Sequence, residues 1–203
     1  MHLTEQEKQS ITQAIRDVES RCDAELVTVI AQRSDDYYYI PTLWAALFAL
    51  SFPGLLSIFD VVIANEYLWQ VFLFFAVAAL FHFTPLKLVV VPSYIKYQRA
   101  SRYAHQLFMM QDLHATENNT GVLLFVSLDE KYAEIIADSG ISAKVTDEQW
   151  QAIVDEFIGL VKQNKTVEAY LAAIKQCGDL LFDYSPNKDK QTNQLPDHLI
   201  EID

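Results

Sequence analysis

The stretch IPTLWAALFALSFPGLLSIFDVVIA, residues 40–64, followed closely by YLWQVFLFFAVAALFHF, residues 67–83, decides how this chain is read. The first run holds one charge, Asp60, and the second holds none. Apolar character resumes after Lys87 with Leu88, Val89, Val90 and Val91. A helix needs about 20 predominantly apolar residues to cross a bilayer core. The first run clears that length. The second is marginal alone and adequate if it continues through Pro85 towards Lys87. The pair therefore predicts a two-helix transmembrane hairpin over 40–92 that turns around residues 60–66. The competing reading, two core helices of a soluble protein, is disfavoured by run length and by Pro53-Gly54. Those residues break a soluble helix but are better tolerated in membrane spans.

The flanking charges orient the hairpin. Lys87, Lys96, Arg99 and Arg102 follow the second run, Arg21 and Arg33 precede the first, and the turn holds only Asp60 and Glu66. Lys and Arg mark the cytoplasmic side. Both termini are thus expected in the cytoplasm, with the basic residues after the second run against anionic lipid heads. Trp44 and Trp69 fit either headgroup level or ordinary span positions, while His82 and Gln70 are read as packing residues. The first 20 residues are polar and charged, with no apolar core for a cleaved signal peptide. A cytoplasmic domain keeps Cys22 and Cys177 reduced, so no structural disulfide is expected, and their lack of CxxC spacing gives no support to a thiol redox or zinc site. The net charge of −12 opposes binding to a phosphate backbone, which argues against a nucleic-acid partner.

Outside the hairpin the chain reads as an α/β domain. Thr4-Glu5-Gln6-Glu7 is a capping box ahead of a helix with Ile11, Ala14, Ile15 and Val18 on one face. Residues 25–30 read as a strand. Residues 94–113 read as a helix and residues 114–120 as a polar loop. Residues 121–128 form a near-continuous apolar run, a strand buried on both faces. After the turn Asp129-Glu130-Lys131, residues 132–137 complete a strand hairpin that Asp138-Ser139-Gly140 closes. Two helices follow: one capped at Thr146 with a stripe of Trp150, Ile153, Val154 and Phe157, and one over 165–182. The polar tail, 184–203, is expected to wrap or dangle. The expected architecture is a small mixed sheet sandwiched by helices. Segments 1–39 and 93–203 form one discontinuous domain, with the hairpin inserted between them.

These residues carry a resemblance. The run from Thr120 through Lys131, continued by Ala133-Glu134-Ile135-Ile136-Ala137-Asp138-Ser139-Gly140-Ile141 and by Trp150, resembles the central motif of the TPM domain. That domain is shared by a thylakoid lumen protein, a photosystem repair protein and a nematode receptor modulator. Ala24-Glu25-Leu26-Val27-Thr28-Val29 is similar to the family's first strand. Asn193-Gln194-Leu195-Pro196-Asp197 is similar to the tail of its small bacterial membrane-anchored branch. The resemblance implies an α/β sandwich, often membrane-tethered, with acid phosphatase activity and divalent-cation binding assigned to some members. It also implies a bacterial inner-membrane setting and a LemA-family membrane protein, or another membrane protein, as partner. The chain departs from the pattern ahead of the first helix, where many members carry an acidic motif, and at Asn119, where a basic residue is expected.

For chemistry, the acids at predicted strand ends are the candidates: Asp35, Asp36, Glu130 and Asp138. Ca²⁺ or Mg²⁺ would need several such oxygen ligands together; turns also select Asp for their own geometry. No P-loop, GxSxG or zinc-protease pattern is present, and His105 and His114 stand alone. Two functions follow. One is a non-enzymatic binding or assembly module at the membrane. The other is a membrane-tethered divalent-metal-dependent phosphatase, which an acidic chain without an Arg cluster serves poorly, because phosphoryl transfer needs positive charge.

Overall fold

The computed structural model describes residues 3–84, 86–116, 118–184 and 199–202. In chain order the elements are α1 (Glu5–Glu19), β1 (Glu25–Ala31), α2 (Tyr39–Ile58), α3 (Glu66–Phe83), α4 (Leu86–Val90), α5 (Ser93–Met110), β2 (Gly121–Ser127), β3 (Tyr132–Ala137), α6 (Ser139–Ser142), α7 (Asp147–Lys162), α8 (Thr166–Tyr184) and β4 (Leu199–Ile202). A single 3-10 turn, Leu113–Ala115, follows α5. The chain divides into two compact units: Met1–Ser34 with Arg99–Asp203, and Asp35–Gln98.

The first unit is an α/β sandwich around a four-stranded mixed sheet of order β3-β2-β1-β4. β1 and β2 pair in parallel, with Glu25 opposite Gly121 and Ala31 opposite Ser127. A parallel pair needs a long crossover connection, and everything between residues 31 and 121 serves as that connection. β2 and β3 form the expected antiparallel hairpin. All seven β2 residues are buried, as its apolar run requires.

The two sheet faces sort by alternation. Leu26, Ile30, Val122, Leu124 and Val126 join α1, α7 and α8 in one core. Val27, Val29, Ala31, Leu123 and Phe125 join α5 residues Ala100, Ala104, Leu107 and Phe108 in the other. α1 starts as expected: Thr4 and Glu7 form a reciprocal capping box. Thr146 and Gln149 do the same for α7. α8 packs against α1 closely enough that a Cβ on Gly178 would lie 2.5 Å from Val18 Cγ2.

Two expectations for the first unit need correction. The tail does not simply wrap or dangle. Residues 185–198 lie outside the described residues, but Leu199–Ile202 form β4, parallel to β1 with Thr28 opposite Leu199 and Ala31 opposite Ile202. Four residues are too few to show a period, and a strand with one flank polar is decided by the edge it meets. The 94–113 helix also ends early. Asp112 adopts a left-handed φ of 54°, which stops α5 and turns Leu113 into the core.

The second unit holds α2 and α3. Tyr38, just before α2, stacks on His82 near the end of α3 with ring centroids 5.8 Å apart, so the helices run antiparallel. Residues 59–65 make the turn, with left-handed Asp60 (φ 49°) and Asn65 (φ 58°). α3 does not run on to Lys87. Thr84 is extended at φ −126°, ψ 157°, as expected of a residue before proline, and α4 is separate. At 1.5 Å per residue, α2 with 20 residues and α3 with 18 are about 30 and 27 Å long. Only 22% of the α2 window and 6% of the α3 window are buried, so neither is a core helix.

Candidate functional site

The C-terminal rim of the parallel strands is the most built polar feature of the first unit. Ala31 and Ser127 end β1 and β2 side by side, and the turn after β2 folds back over the exit of β1. Leu128 N donates to Ala31 O at 3.0 Å and Asp129 N to Gln32 O at 2.9 Å. Gln32 Nε2 donates to Asp129 Oδ1 at 2.6 Å. β4 joins the same rim, because Gln32 N donates to Ile202 O at 2.7 Å. Lys131 closes the turn with a left-handed φ of 53°.

Glu130 is the centre of this rim. It is 3% exposed. Its Oε1 accepts from Ser34 N at 3.1 Å and Ser34 Oγ at 2.9 Å. Its Oε2 accepts from Ser127 Oγ. A buried carboxylate is costly unless hydrogen-bonded, and three donors supply what it needs. The arrangement clips the β1 exit onto the β2–β3 turn. Sequence reading singled out Glu130 but missed Ser34 and Ser127. The available signal was a serine ending an apolar strand, three residues before a turn acid.

Asp138 lies elsewhere. It follows β3, and its N donates to Gly121 O at 2.9 Å. Its Oδ1 accepts from Ser139 N at 2.6 Å, capping α6. Its Oδ2 is buried with no hydrogen-bond partner among the described residues. Gly140 sits against the 116–120 loop, where a Cβ would meet Asn118 O at 2.5 Å and Asn119 O at 2.6 Å. Asn118 in turn donates to Asp23 Oδ2 at 2.6 Å. Six residues of β3 separate Glu130 from Asp138, on the order of 20 Å of strand, so these two acids are not brought together.

Asp35 and Asp36 belong to the second unit. Asp35 Oδ1 accepts from Tyr37 N at 2.9 Å, holding a turn in which Tyr37 has φ 54° and is fully buried. Asp36 is exposed. Among the described residues no three His, Cys, Asp or Glu side chains group as metal ligands.

Other reactive groups are muted by burial. Burial pushes the Cys22 thiol up to about 11 and the Cys177 thiol up to about 12, so both stay protonated near neutral pH, where a nucleophilic cysteine must ionise. Burial likewise raises the Tyr132 hydroxyl to about 12, with the Glu134 carboxylate adding to the rise.

Residues 82–180 match the model of the TPM domain. The likeness to the TPM domain thus holds over these residues. The TPM match begins inside α3 and covers α4, α5, β2, β3, α6, α7 and most of α8. β1 lies upstream of it although β1 is the parallel partner of β2. The inserted hairpin separates the TPM sheet in sequence, and only pairing reunites it. The NMR structure of the BA42 protein from the psychrophilic bacterium Bizionia argentinensis is similar. Its TM-score is 0.63 at 18% identity, with 99% of this chain and 96% of that chain covered. At that identity the likeness speaks for the fold. No curated protein matches the chain.

Proposed function

We propose that this chain is an integral membrane protein whose hairpin spans the bacterial inner membrane and presents the TPM domain in the cytoplasm as a binding or assembly module. The observation that carries this reading is the exposure of α2 and α3. Large apolar side chains point outward along both, including Leu43, Leu47, Phe48 and Leu50 on α2 and Leu68, Val71, Phe72 and Phe75 on α3. A soluble monomer rarely exposes so continuous an apolar surface. In a bilayer the same surface is solvated by lipid, and helices satisfy their own backbone groups there. The cytoplasmic orientation is supported by Arg33, Lys87, Lys96, Arg99 and Arg102 flanking the spans, against Asp60 and Glu66 in the turn.

A binding role fits the rim chemistry better than hydrolysis does. Glu130 spends its oxygens on Ser34 and Ser127, and a chain of net charge −12 offers little to stabilise a phosphoryl transition state. The partner of such a module is another membrane protein, by the family resemblance one of LemA type. The alternative is a tethered phosphatase using Ca²⁺ or Mg²⁺. Alkaline carbonate extraction of membranes and reporter fusions at Asn65 and at the C-terminus test the topology. Resistance to extraction with a cytoplasmic C-terminus is expected; release into the supernatant or a periplasmic C-terminus overturns it. Phosphate release from a generic phosphate ester by the purified full chain, dependent on added Mg²⁺ or Ca²⁺, would instead establish the enzyme.

A further inference from the structure

The end of the helical hairpin where α2 begins and α3 stops contains a cavity of about 370 Å³ within the second unit. Its wall is apolar and includes Phe75, Ala78 and Ala79 of α3. Its rim is polar and includes Tyr38, His82 and Lys87. The two alanines line it with the smallest side chains of this stretch of α3. Lys87 is half-buried, with Nζ 5.5 Å from the centroid of the Tyr38 ring. His82 stacks against the same ring and, edge-on, against Phe83. Among the described residues no carboxylate pairs with Lys87.

We propose that this pocket binds one anionic phospholipid, its phosphate held at Lys87 and its first acyl carbons laid along Ala78, Ala79 and Phe75. The inference rests on the membrane-spanning reading of α2 and α3. The arrangement of charge decides the ligand class. A lysine ammonium is a point donor suited to phosphate oxygen, and the imidazole of His82 and hydroxyl of Tyr38 add donors at the same rim. An apolar wall directly beneath a cationic rim matches an amphiphile at the hydrocarbon–headgroup boundary, where long cationic side chains extend towards water. A soluble anion would use the rim and leave the wall unexplained.

The test is native mass spectrometry of the full chain in neutral detergent, loaded with phosphatidylglycerol or phosphatidylcholine. Wild type is expected to retain one phosphatidylglycerol and to discriminate against phosphatidylcholine. Lys87→Gln should lower phosphatidylglycerol retention roughly tenfold, the usual scale for losing one charge-assisted hydrogen bond. Ala79→Phe, which fills the wall and leaves the rim charge intact, should lower it as well. Equal retention of the two lipids, or retention unchanged in both variants, overturns the proposal. Displacement of the lipid by millimolar inorganic phosphate would assign the rim to a soluble anion and also overturn it. Carbonate extraction of the same membranes separates the two readings. A chain that is extracted fails as a spanning protein, whereas one that resists extraction yet shows no lipid preference fails only here.

Discussion

Ser34 and Glu130 stand 96 residues apart, yet two donors of Ser34, its N at 3.1 Å and its Oγ at 2.9 Å, converge on one oxygen of the Glu130 carboxylate. Ser34 is the last residue of the first unit before the chain enters the second. The bond therefore anchors the point from which the hairpin segment departs.

Replacing Glu130 by Ala should destabilise the first unit by about 1–3 kcal/mol, the cost of leaving buried donors unsatisfied. Ser34→Ala should cost less, because the backbone N–H of residue 34 still reaches the carboxylate. The pair should be non-additive in a double-mutant cycle. Denaturant unfolding of the full chain in detergent, followed by the signal of Trp150 in α7, measures all three variants. A Glu130→Ala protein as stable as wild type contradicts the clip.

Gly178→Ala sets two effects against each other. Alanine gains roughly 1 kcal/mol of helix propensity over glycine. Its Cβ, however, would stand 2.5 Å from Val18 Cγ2, and a valine in a helix has little χ1 freedom to withdraw. Overpacking costs about 1–3 kcal/mol, so a net loss of stability is expected. Adding Val18→Ala should return part of it. A stabilised single variant would mean that α1 yields more easily than its packing on α8 implies.

Deleting residues 199–203 should expose the outer edge of β1. β4 supplies the only strand on that side of β1 among the described residues, and unpaired edges invite association. Hydrogen exchange should accelerate at Gln32, whose N–H donates to Ile202 O at 2.7 Å, while β2 amides facing β3 stay protected. The truncated chain should also self-associate more in size-exclusion chromatography. Unchanged protection at Gln32 would argue against β4.

The buried thiols set an alkaline limit. Burial raises Cys177 from 9.0 to about 12 and Cys22 from 9.0 to about 11, so the folded state favours the protonated form. This contribution is complete below pH 9.0 and is lost as pH rises through about 11 and 12, because the unfolded chain ionises first. Stability should therefore fall across that window. Cys22→Ser plus Cys177→Ala should flatten the fall. Thiol labelling at pH 8 should be slow until denaturant is added.

Much of this architecture was legible because its signals are local. The Thr4–Glu7 and Thr146–Gln149 capping boxes are each complete within four residues. The stripes of Ile11, Ile15 and Val18 and of Trp150, Ile153 and Phe157 follow the helical period. The β2–β3 hairpin joins neighbours across a short turn, and the apolar runs of α2 and α3 declare themselves by length. The stop of α3 at Phe83 is not among these readings, because the apolar run is followed through Pro85 although proline restricts Thr84 before it.

What local pattern does not contain is partnership. Nothing in Leu199-Ile200-Glu201-Ile202 says that it extends β1 in parallel; that follows from which backbone edge is open once β1 and β2 have paired. Nothing near Glu130 says that Ser34 is its donor. A run of residues determines its own helix or strand through sterics and hydrogen bonds a few positions away. Register, sheet order and the company of a buried carboxylate depend on contacts between distant segments, and those exist only after the chain has closed on itself.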